Sequence, residues 1–463
     1  MRPNILFLFS DQHRGDWMPY DPEIKAAQGV GNLELHMPVI RNLMDRGTSF
    51  SLAFSPAPVC APARACLAAG KRYKNCRVYQ NNVNYDAALP SFYGKLKAAG
   101  YQVCGAGKFD LNKADLDWGD GYHKLLREMG FTQALDSEGK MDTVWAVRRT
   151  RPGPYAAMLK KAGWLEAHME DMSTRGASPA ATPLPDEYYA DNWVAAKSAE
   201  MLRAMSKDAP WFMQVNFSGP HDPWDVTKSM RAAVEDRVFP PAIDCRFEQA
   251  NLEVRKNYAA MIENIDRLCG ELIEVVRARG ELDHTLIVYA SDHGEMMGDH
   301  SLYGKSKPDM ASVHIPLVID ASCLGGRKGV TNTTPVELQD LAATFLDYAG
   351  IPGQDSLECV SLRPVVEGEK ERVRQYALSE LINNNPRGLI GSMGTITDGK
   401  WKLNMRLGQP ARLYDISIDP FETQDLAAEN PAVVETLRAA FGERGQKRDP
   451  VAELYVKSFY AVP

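Results

Sequence analysis

Two apolar stretches of this chain end in the same way. NILFLF runs into Ser10-Asp11-Gln12, and TLIVYA runs into Ser291-Asp292-His293. Two carboxylates brought to one place repel each other, and one is driven to hold a proton. A divalent cation between Asp11 and Asp292 removes the conflict, and Gln12 and His293 can complete its shell. The other reading is that each aspartate caps the helix after its strand. The matched endings, each with a ligand-type neighbour, favour the metal.

A third stretch, VCAPARACLAAG, reads as a helix with Pro62 in its first turn and Gly70 at its end. Cys60 then sits at or just before the helix start, where free N–H groups and the helix dipole favour an anion. Arg64 follows one turn later and offers a bidentate donor to a tetrahedral oxyanion. Lys108 in GKFD and Lys305 in SLYGKSK can neutralise more of its charge. The plainer readings are a small packing thiol for Cys60 and solvated surface groups for the lysines.

These residues need elements to carry them. Continuous apolar runs at 4–9, 101–106, 211–217, 285–290 and 315–320 suit strands buried on both faces, as in a parallel sheet. Helical patterns at 89–100 and 254–280 lie between them, which predicts an α/β fold with helices on both faces. In such a sheet, ligands bind beyond the carboxyl ends of the strands. Four runs deliver Asp11, Lys108, His221 and Asp292 to that edge. After about residue 365 the character changes. Short β-like pieces over 388–417 and a helix over 430–445 predict a smaller α+β unit with an antiparallel sheet. The division expected is 1–365 and 366–463. The stretch 135–190, rich in Pro, Gly and charge, is expected to shape substrate access, together with Trp224. The tail LYVKSFYAVP (454–463) is an oligomer contact or a packed end.

Composition narrows the partners. The 463 residues are 44% hydrophobic and 24% charged, an ordinary globular profile with room for two domains. A net charge of −7 argues against nucleic acid and against an acidic membrane surface. No apolar run approaches the ~20 residues of a membrane span. The first residues show no leader peptide. Eight scattered cysteines with no CxxC pair argue for reduced thiols in a cytoplasmic protein.

At this point the residues match a family. Cys60-Ala61-Pro62-Ala63-Arg64 resembles the C-x-P-x-R signature of the type I sulfatases of the alkaline phosphatase superfamily. PNILFLFSDQ is similar to the family's first metal strand, AAGYQVCGAGKFD to its G-K-x-H segment and NFSGPHDPW to its P-H-x-P segment. SDHGEMMGDHSLYGKSK is similar to its second metal segment with the lysine beyond, and LYDISIDPFETQDLA to its C-terminal signature. The likeness spans nearly the whole chain, and NNVNYD, GKFD and MASVHIPLV look closest to the arylsulfatase K-like branch.

The resemblance implies an alkaline phosphatase-like fold and hydrolysis of a sulfate monoester of a small organic molecule, such as a sulfated sugar or uronate or an alkyl or aryl sulfate. It implies that a formylglycine-generating enzyme oxidises Cys60 to formylglycine (3-oxoalanine), whose hydrate attacks sulfur and later expels sulfate by collapsing to the aldehyde. A serine could be sulfated but would lack that exit. By the same resemblance Asp11, Gln12, Cys60, Asp292 and His293 hold a divalent metal, calcium first and manganese second. Arg64 supports the hydrate, Lys108 and Lys305 hold sulfate oxygens, and His221 protonates the leaving alcohol. Asn81 or Asn82 takes the place of a family asparagine near the metal and substrate.

Two departures stand out. Gln12 replaces a second aspartate, and Asp110 replaces the G-K-x-H histidine, as a base or as a group facing a cationic or hydroxylated substrate. The competing enzyme reading is a phosphonate monoester or phosphodiester hydrolase of the same superfamily. The non-enzyme reading is an anion-binding or scaffolding relative.

Overall fold

The structure is a computed structural model that describes residues 2–176, 178–352, 357–382 and 392–445. The 454–463 tail and residues 388–391 of the C-terminal β-like stretch lie outside the described residues.

In chain order the strands are β1 (Asn4–Asp11), β2 (Thr48–Phe50), β3 (Ala53–Phe54), β4 (Gln102–Gly107), β5 (Gln133–Asp136), β6 (Trp211–Pro220), β7 (Thr285–Ser291), β8 (His314–Ile315), β9 (Leu317–Asp320), β10 (Val330–Asn332), β11 (Val336–Glu337), β12 (Ala377–Leu381), β13 (Met393–Thr397), β14 (Trp401–Arg406) and β15 (Arg412–Asp415). Eight of them form one sheet in the order β10-β2-β9-β7-β1-β6-β4-β5. Its central strands β7, β1, β6 and β4 pair in parallel. Each is buried almost end to end, as continuous apolar runs require.

One expectation needs correcting. The run at 315–320 yields β9, which is antiparallel to β7 and to β2. Leu317 at the start of β9 pairs with Ala290 near the end of β7. The chain therefore re-enters the sheet from the edge at which it left. A parallel return needs a crossover to the opposite edge, and the helix in this connection spans only Met310–Val313.

Alternate side chains of β1 point into two separate cores. Ile5, Phe7 and Phe9 face the helices Cys60–Ala69, Phe92–Ala98 and Asp340–Tyr348. Leu6 and Leu8 face Pro38–Arg46, Ala190–Ala204 and the long Glu248–Ala278 helix. Strands β12 to β15 form a four-stranded antiparallel sheet, as expected of the C-terminal stretch. The Pro431–Gly445 helix covers it. Phe441 lies so close to Gly394 that a Cβ there would meet its ring at 2.5 Å. Leu378, Ile396 and Leu403 of this sheet join the first core, so the C-terminal unit packs onto the large sheet's helices. The 135–190 stretch is no bare loop. It carries the helices Met141–Arg148, Pro154–Ala162 and Leu165–Thr174.

Phe345 closes the first core against Phe7, Phe92 and Phe212, with ring centroids 5.3, 5.5 and 5.5 Å away. Phe345→Ala is expected to cost about 3–5 kcal/mol in denaturant unfolding. A loss below about 1 kcal/mol would show that this aromatic cluster does not hold the layer together.

Candidate active site

The carboxyl ends of the central strands meet the start of the Cys60–Ala69 helix. Ser10 and Ser291 are partners in the β1–β7 register, so Asp11 and Asp292 emerge side by side. Gln12 follows with a left-handed backbone (φ 70°), which turns the chain out of the strand. Tyr258 donates to its carbonyl oxygen at 2.7 Å, and the Gln12 N–H donates to Asp292 Oδ1 at 3.0 Å. Cys60 is the first helical residue, after Val59 in extended conformation, and Gly70 closes the helix at φ 60°. At the end of β4, a Cβ on Gly107 would sit 1.9 Å from the Asn216 carbonyl oxygen. Glycine there lets β4 lie close to β6 and sends Lys108 inward.

The side chains converge. Ligand atoms of Asp11, Cys60, Asp292 and His293 all lie within 4.8 Å of one another, and all four residues are buried. Cys60 Sγ is 3.2 Å from His293 Nε2, 3.0 Å from Lys305 Nζ and 3.8 Å from both Asp11 Oδ1 and Lys108 Nζ. Arg64 spans both carboxylates: its Nε donates to Asp292 Oδ2 at 2.9 Å and its Nη2 to Asp11 Oδ2 at 3.2 Å. Its guanidinium also lies 4.8 Å above the Phe9 ring. Lys108 pairs with Asp11 and, at 3.1 Å, with Asp110. Asn81 Oδ1 accepts from the Ala61 N–H at 3.0 Å, in the first turn of the Cys60 helix. His221 stands at the rim, with Nδ1 near the Asp222 carbonyl oxygen and Nε2 near Lys305 Nζ, each at 2.5 Å.

The charges settle one another. Burial opposes ionisation of Asp11, yet Lys108, His221, Arg64 and Lys305 hold its carboxyl well below the usual range. Burial and the Asp11 charge push the Cys60 thiol up, but Lys108, Lys305 and His293 outweigh them and favour the thiolate. Burial works against charge on Lys108 and Lys305 as well. For Lys108, Asp11 and Asp110 reverse this; for Lys305, Cys60 and Asp11 do. The pocket is thus built to hold a negative group at the Cys60 position.

The four converging groups fit a divalent cation. Two are carboxylates, which hard cations prefer. His293 Nδ1 faces the Gly294 carbonyl oxygen at 3.0 Å, so its Nε2 is the nitrogen turned toward Cys60. Gln12 Oε1 accepts from Lys305 Nζ at 2.8 Å, and its Nε2 donates to Asp222 and Glu295.

The structure adds detail at three expected positions. Asp110, expected as a base or as a group facing the substrate, pairs with two lysines. It is buried between Lys108 and Lys113; burial opposes its charge, but the two ammonium groups hold its carboxyl well below the ordinary range. Asn82 is exposed, so of the two asparagines Asn81 is the one at the helix start. Trp224 is buried, with its ring 5.5 Å from that of Tyr303.

Several residues at the site were not singled out by sequence reasoning. Glu295, fully buried, accepts from Gln12 Nε2 and from the N–H groups of Met297 and Gly304, so it ties the turn after β1 to the loop of Lys305. Asp222 lies 3.2 Å from His221 Nδ1; burial opposes its charge, but His221 and Lys305 hold its pKa down at about 2. Lys140 donates to the carbonyl oxygens of His221 and Pro223 and to Asp225, at 2.7, 2.8 and 2.7 Å. Asp222 and Glu295 sit within three residues of His221 and Asp292, a proximity that could have marked them. Nothing local marks Lys140, which reaches the site from 81 residues away.

Comparison with known proteins gives concordant matches. The family model described as Sulfatase matches residues 3–351, and that described as N-sulphoglucosamine sulphohydrolase, C-terminal, matches 298–445. A choline-sulfatase of Rhizobium meliloti (strain 1021) is 28% identical over 464 residues, covering 93% of this chain and 83% of the relative. Arylsulfatase K of Danio rerio is 23% identical over 447 residues, covering 94% and 82%. The solved phosphonate monoester hydrolase of Agrobacterium radiobacter superposes with a TM-score of 0.78 at 24% identity, covering 96% of this chain and 95% of that one, a likeness of fold.

The Lys140–Asp225 pair is almost wholly buried, with side chains 3% and 1% exposed. Lys140→Met strands the Asp225 charge and frees the His221 loop, and is expected to cost about 3–5 kcal/mol in thermal unfolding. Adding Asp225→Asn should recover part of that loss; equal stability of single and double variants would refute the pairing argument.

Proposed function

Since this chain belongs to the sulfatase family of the alkaline phosphatase superfamily and is a sulfuric ester hydrolase, we propose that it cleaves a sulfate monoester of a small organic alcohol at the pocket around Cys60. What supports this reading above all is the meeting of Cys60 with Asp11, Asp292 and His293 under Arg64, Lys108 and Lys305.

In this reading a formylglycine-generating enzyme converts Cys60 to formylglycine, whose hydrate supplies the oxygen nucleophile in the place of Sγ. A divalent cation, calcium or manganese, would be held by Asp11, Asp292, His293 and the Gln12 amide, and would supply the positive charge that acidifies a hydroxyl of the nucleophile. The chain's own residues do the rest. Arg64, bonded to both carboxylates, keeps them apart from the attacking atom and lends it positive field. Lys108 and Lys305 approach Cys60 from two sides and hold sulfate oxygens in line for displacement. His221, oriented through Nδ1 by Asp222, gives a proton from Nε2 to the departing alcohol oxygen. Asn81 holds the helix start that carries Cys60.

Residues 1–365 act as the catalytic unit and 366–463 as a C-terminal subdomain that, with the 135–190 excursion, sets the alcohol accepted. A sulfated sugar or uronate, or an alkyl or aryl sulfate, fits this reading. Eight unpaired cysteines suit a reducing compartment, and we place the enzyme in the cytoplasm. Among the described residues no helix is long and apolar enough to cross a membrane.

Co-expression with a formylglycine-generating enzyme should give a Cys60 peptide in which CHO replaces CH2SH, by mass spectrometry. That protein should hydrolyse a nitrophenyl sulfate faster than a phosphonate monoester or a phosphodiester, lose activity on chelation, and regain it with calcium or manganese. Turnover of the phosphorus esters alone would overturn the sulfatase reading in favour of the phosphonate one. Metal binding with no turnover would favour the scaffold. The His221→Ala variant should lose roughly 10²–10⁴-fold in kcat on an alkyl sulfate, whose alkoxide leaves poorly. It should lose far less on nitrophenyl sulfate, whose phenolate leaves unaided. Equal losses on both would remove His221 from the acid role.

A further inference from the structure

Beyond β4 the chain runs Gly107-Lys108-Phe109-Asp110. Phe109 is pinned: its N–H donates to Asp136 Oδ1 at 3.2 Å, and its ring packs edge-on against Phe131 at 5.1 Å. Asp110 takes a left-handed backbone (φ 56°), a conformation aspartate tolerates better than most residues. Lys108 and Asp110 flank this anchor and meet each other. Asp110 Oδ2 is 3.1 Å from Lys108 Nζ and 3.3 Å from Lys113 Nζ, and Lys113 Nζ is 2.7 Å from Asp142 Oδ2. Charge alternates along this chain, and its Lys113–Asp142 end is the more exposed. The side chains of Lys108, Asp110, Lys113 and Asp142 are 6%, 1%, 15% and 18% exposed.

Lys108 has two carboxylate partners with different duties. Asp11 is also claimed by Arg64 and is one of the four groups that converge on Cys60. Its oxygens are shared with any cation bound there. Asp110 stands outside that group, so it anchors Lys108 independently of it. An ammonium that must hold a sulfate oxygen at a fixed point needs such an anchor, because a four-carbon stem otherwise wanders among rotamers. Asp142 lies in the first turn of the Met141–Arg148 helix, and Lys140, immediately before that helix, binds the His221 loop. One helix start is therefore tied to the Lys108 side of the pocket through Lys113 and to the His221 side through Lys140.

We propose that Asp110 is a positioning residue, which aims Lys108 at the Cys60 pocket and, through Lys113 and Asp142, joins the pocket to the 141–148 helix. This rests on the sulfate-ester reading for what Lys108 holds, and on the geometry for how it is held.

The test is a double-mutant cycle on the formylglycine-bearing enzyme, with nitrophenyl sulfate turnover and inorganic sulfate binding as readouts. Asp110→Asn should lower kcat/KM roughly 10- to 100-fold, and the same change in a Lys108→Met background should cost less than about twofold, since the two act as a unit. Inorganic sulfate should bind Asp110→Asn more weakly than wild type, with no such difference in the Lys108→Met background. Should the single variant be unstable in thermal unfolding, Asp110→Asn with Lys113→Met removes one of the two stranded ammonium groups and takes its place in the cycle. Equal losses in both backgrounds would show that Asp110 acts on the substrate itself, and no loss in either would show that Lys108 needs no anchor; each overturns the proposal. If wild type turns over no sulfate ester, the reading of function falls instead, and the sulfate-binding arm still decides the role of Asp110.

Discussion

Two aspartates without access to water lie at the centre of this molecule. Asp11 and Asp292 are fully buried, at the ends of adjacent parallel strands. An isolated buried carboxylate is costly, and two together are costlier unless cations answer them. Arg64 answers both at once, with Nε on Asp292 and Nη2 on Asp11. Its reach explains why the Cys60–Ala69 helix lies where it does. Delivering Arg64 to the carboxylates also delivers Cys60, one turn earlier, to the same point. The helix start, the two strand ends and the thiol are therefore one constraint.

The loops around that centre are held by buried charge as much as by apolar packing. The segment that carries Lys305 contains four non-glycine residues in left-handed conformation: Met297, His300, Ser301 and Ser306. Such conformations persist when the surroundings over-determine them. Glu295 binds the N–H groups of Met297 and Gly304, Asn251 donates to the Met297 carbonyl oxygen, and Asp299 pairs with Arg14 and Arg255. The C-terminal sheet joins in, since Lys402 and Glu422 form a buried pair that also binds Pro308 and Met310, just beyond Lys305. The smaller sheet thereby braces the loop that carries Lys305.

Much of this was legible in the residues. The apolar runs located the central strands because a strand covered on both faces cannot alternate. Pro62 and Gly70 bracketed the Cys60 helix because each residue suits one end of a helix and not the other. The direction of β9 was not legible, because an apolar run has the same composition whichever way it threads the sheet. The surroundings of Asp110 were not legible for a related reason. Its neighbours Lys108 and Lys113 are in plain view in the sequence, yet its burial between them depends on the φ of 56° and on the pinning of Phe109.

The sequence by itself determined which residue types stand at the strand ends, and that a helix starts with a thiol and an arginine one turn on. Those are local facts, set by strand burial, helix caps and periodicity. Only the tertiary structure decided how charge is shared among them: Arg64 across two carboxylates, Asp110 between two lysines, Lys140 under the His221 loop. The physical reason is distance along the chain. Charge pairing in a low-dielectric interior depends on separations of a few ångströms between groups as far as 228 residues apart, as with Arg64 and Asp292. No local pattern encodes that separation; the packing of the whole sheet does.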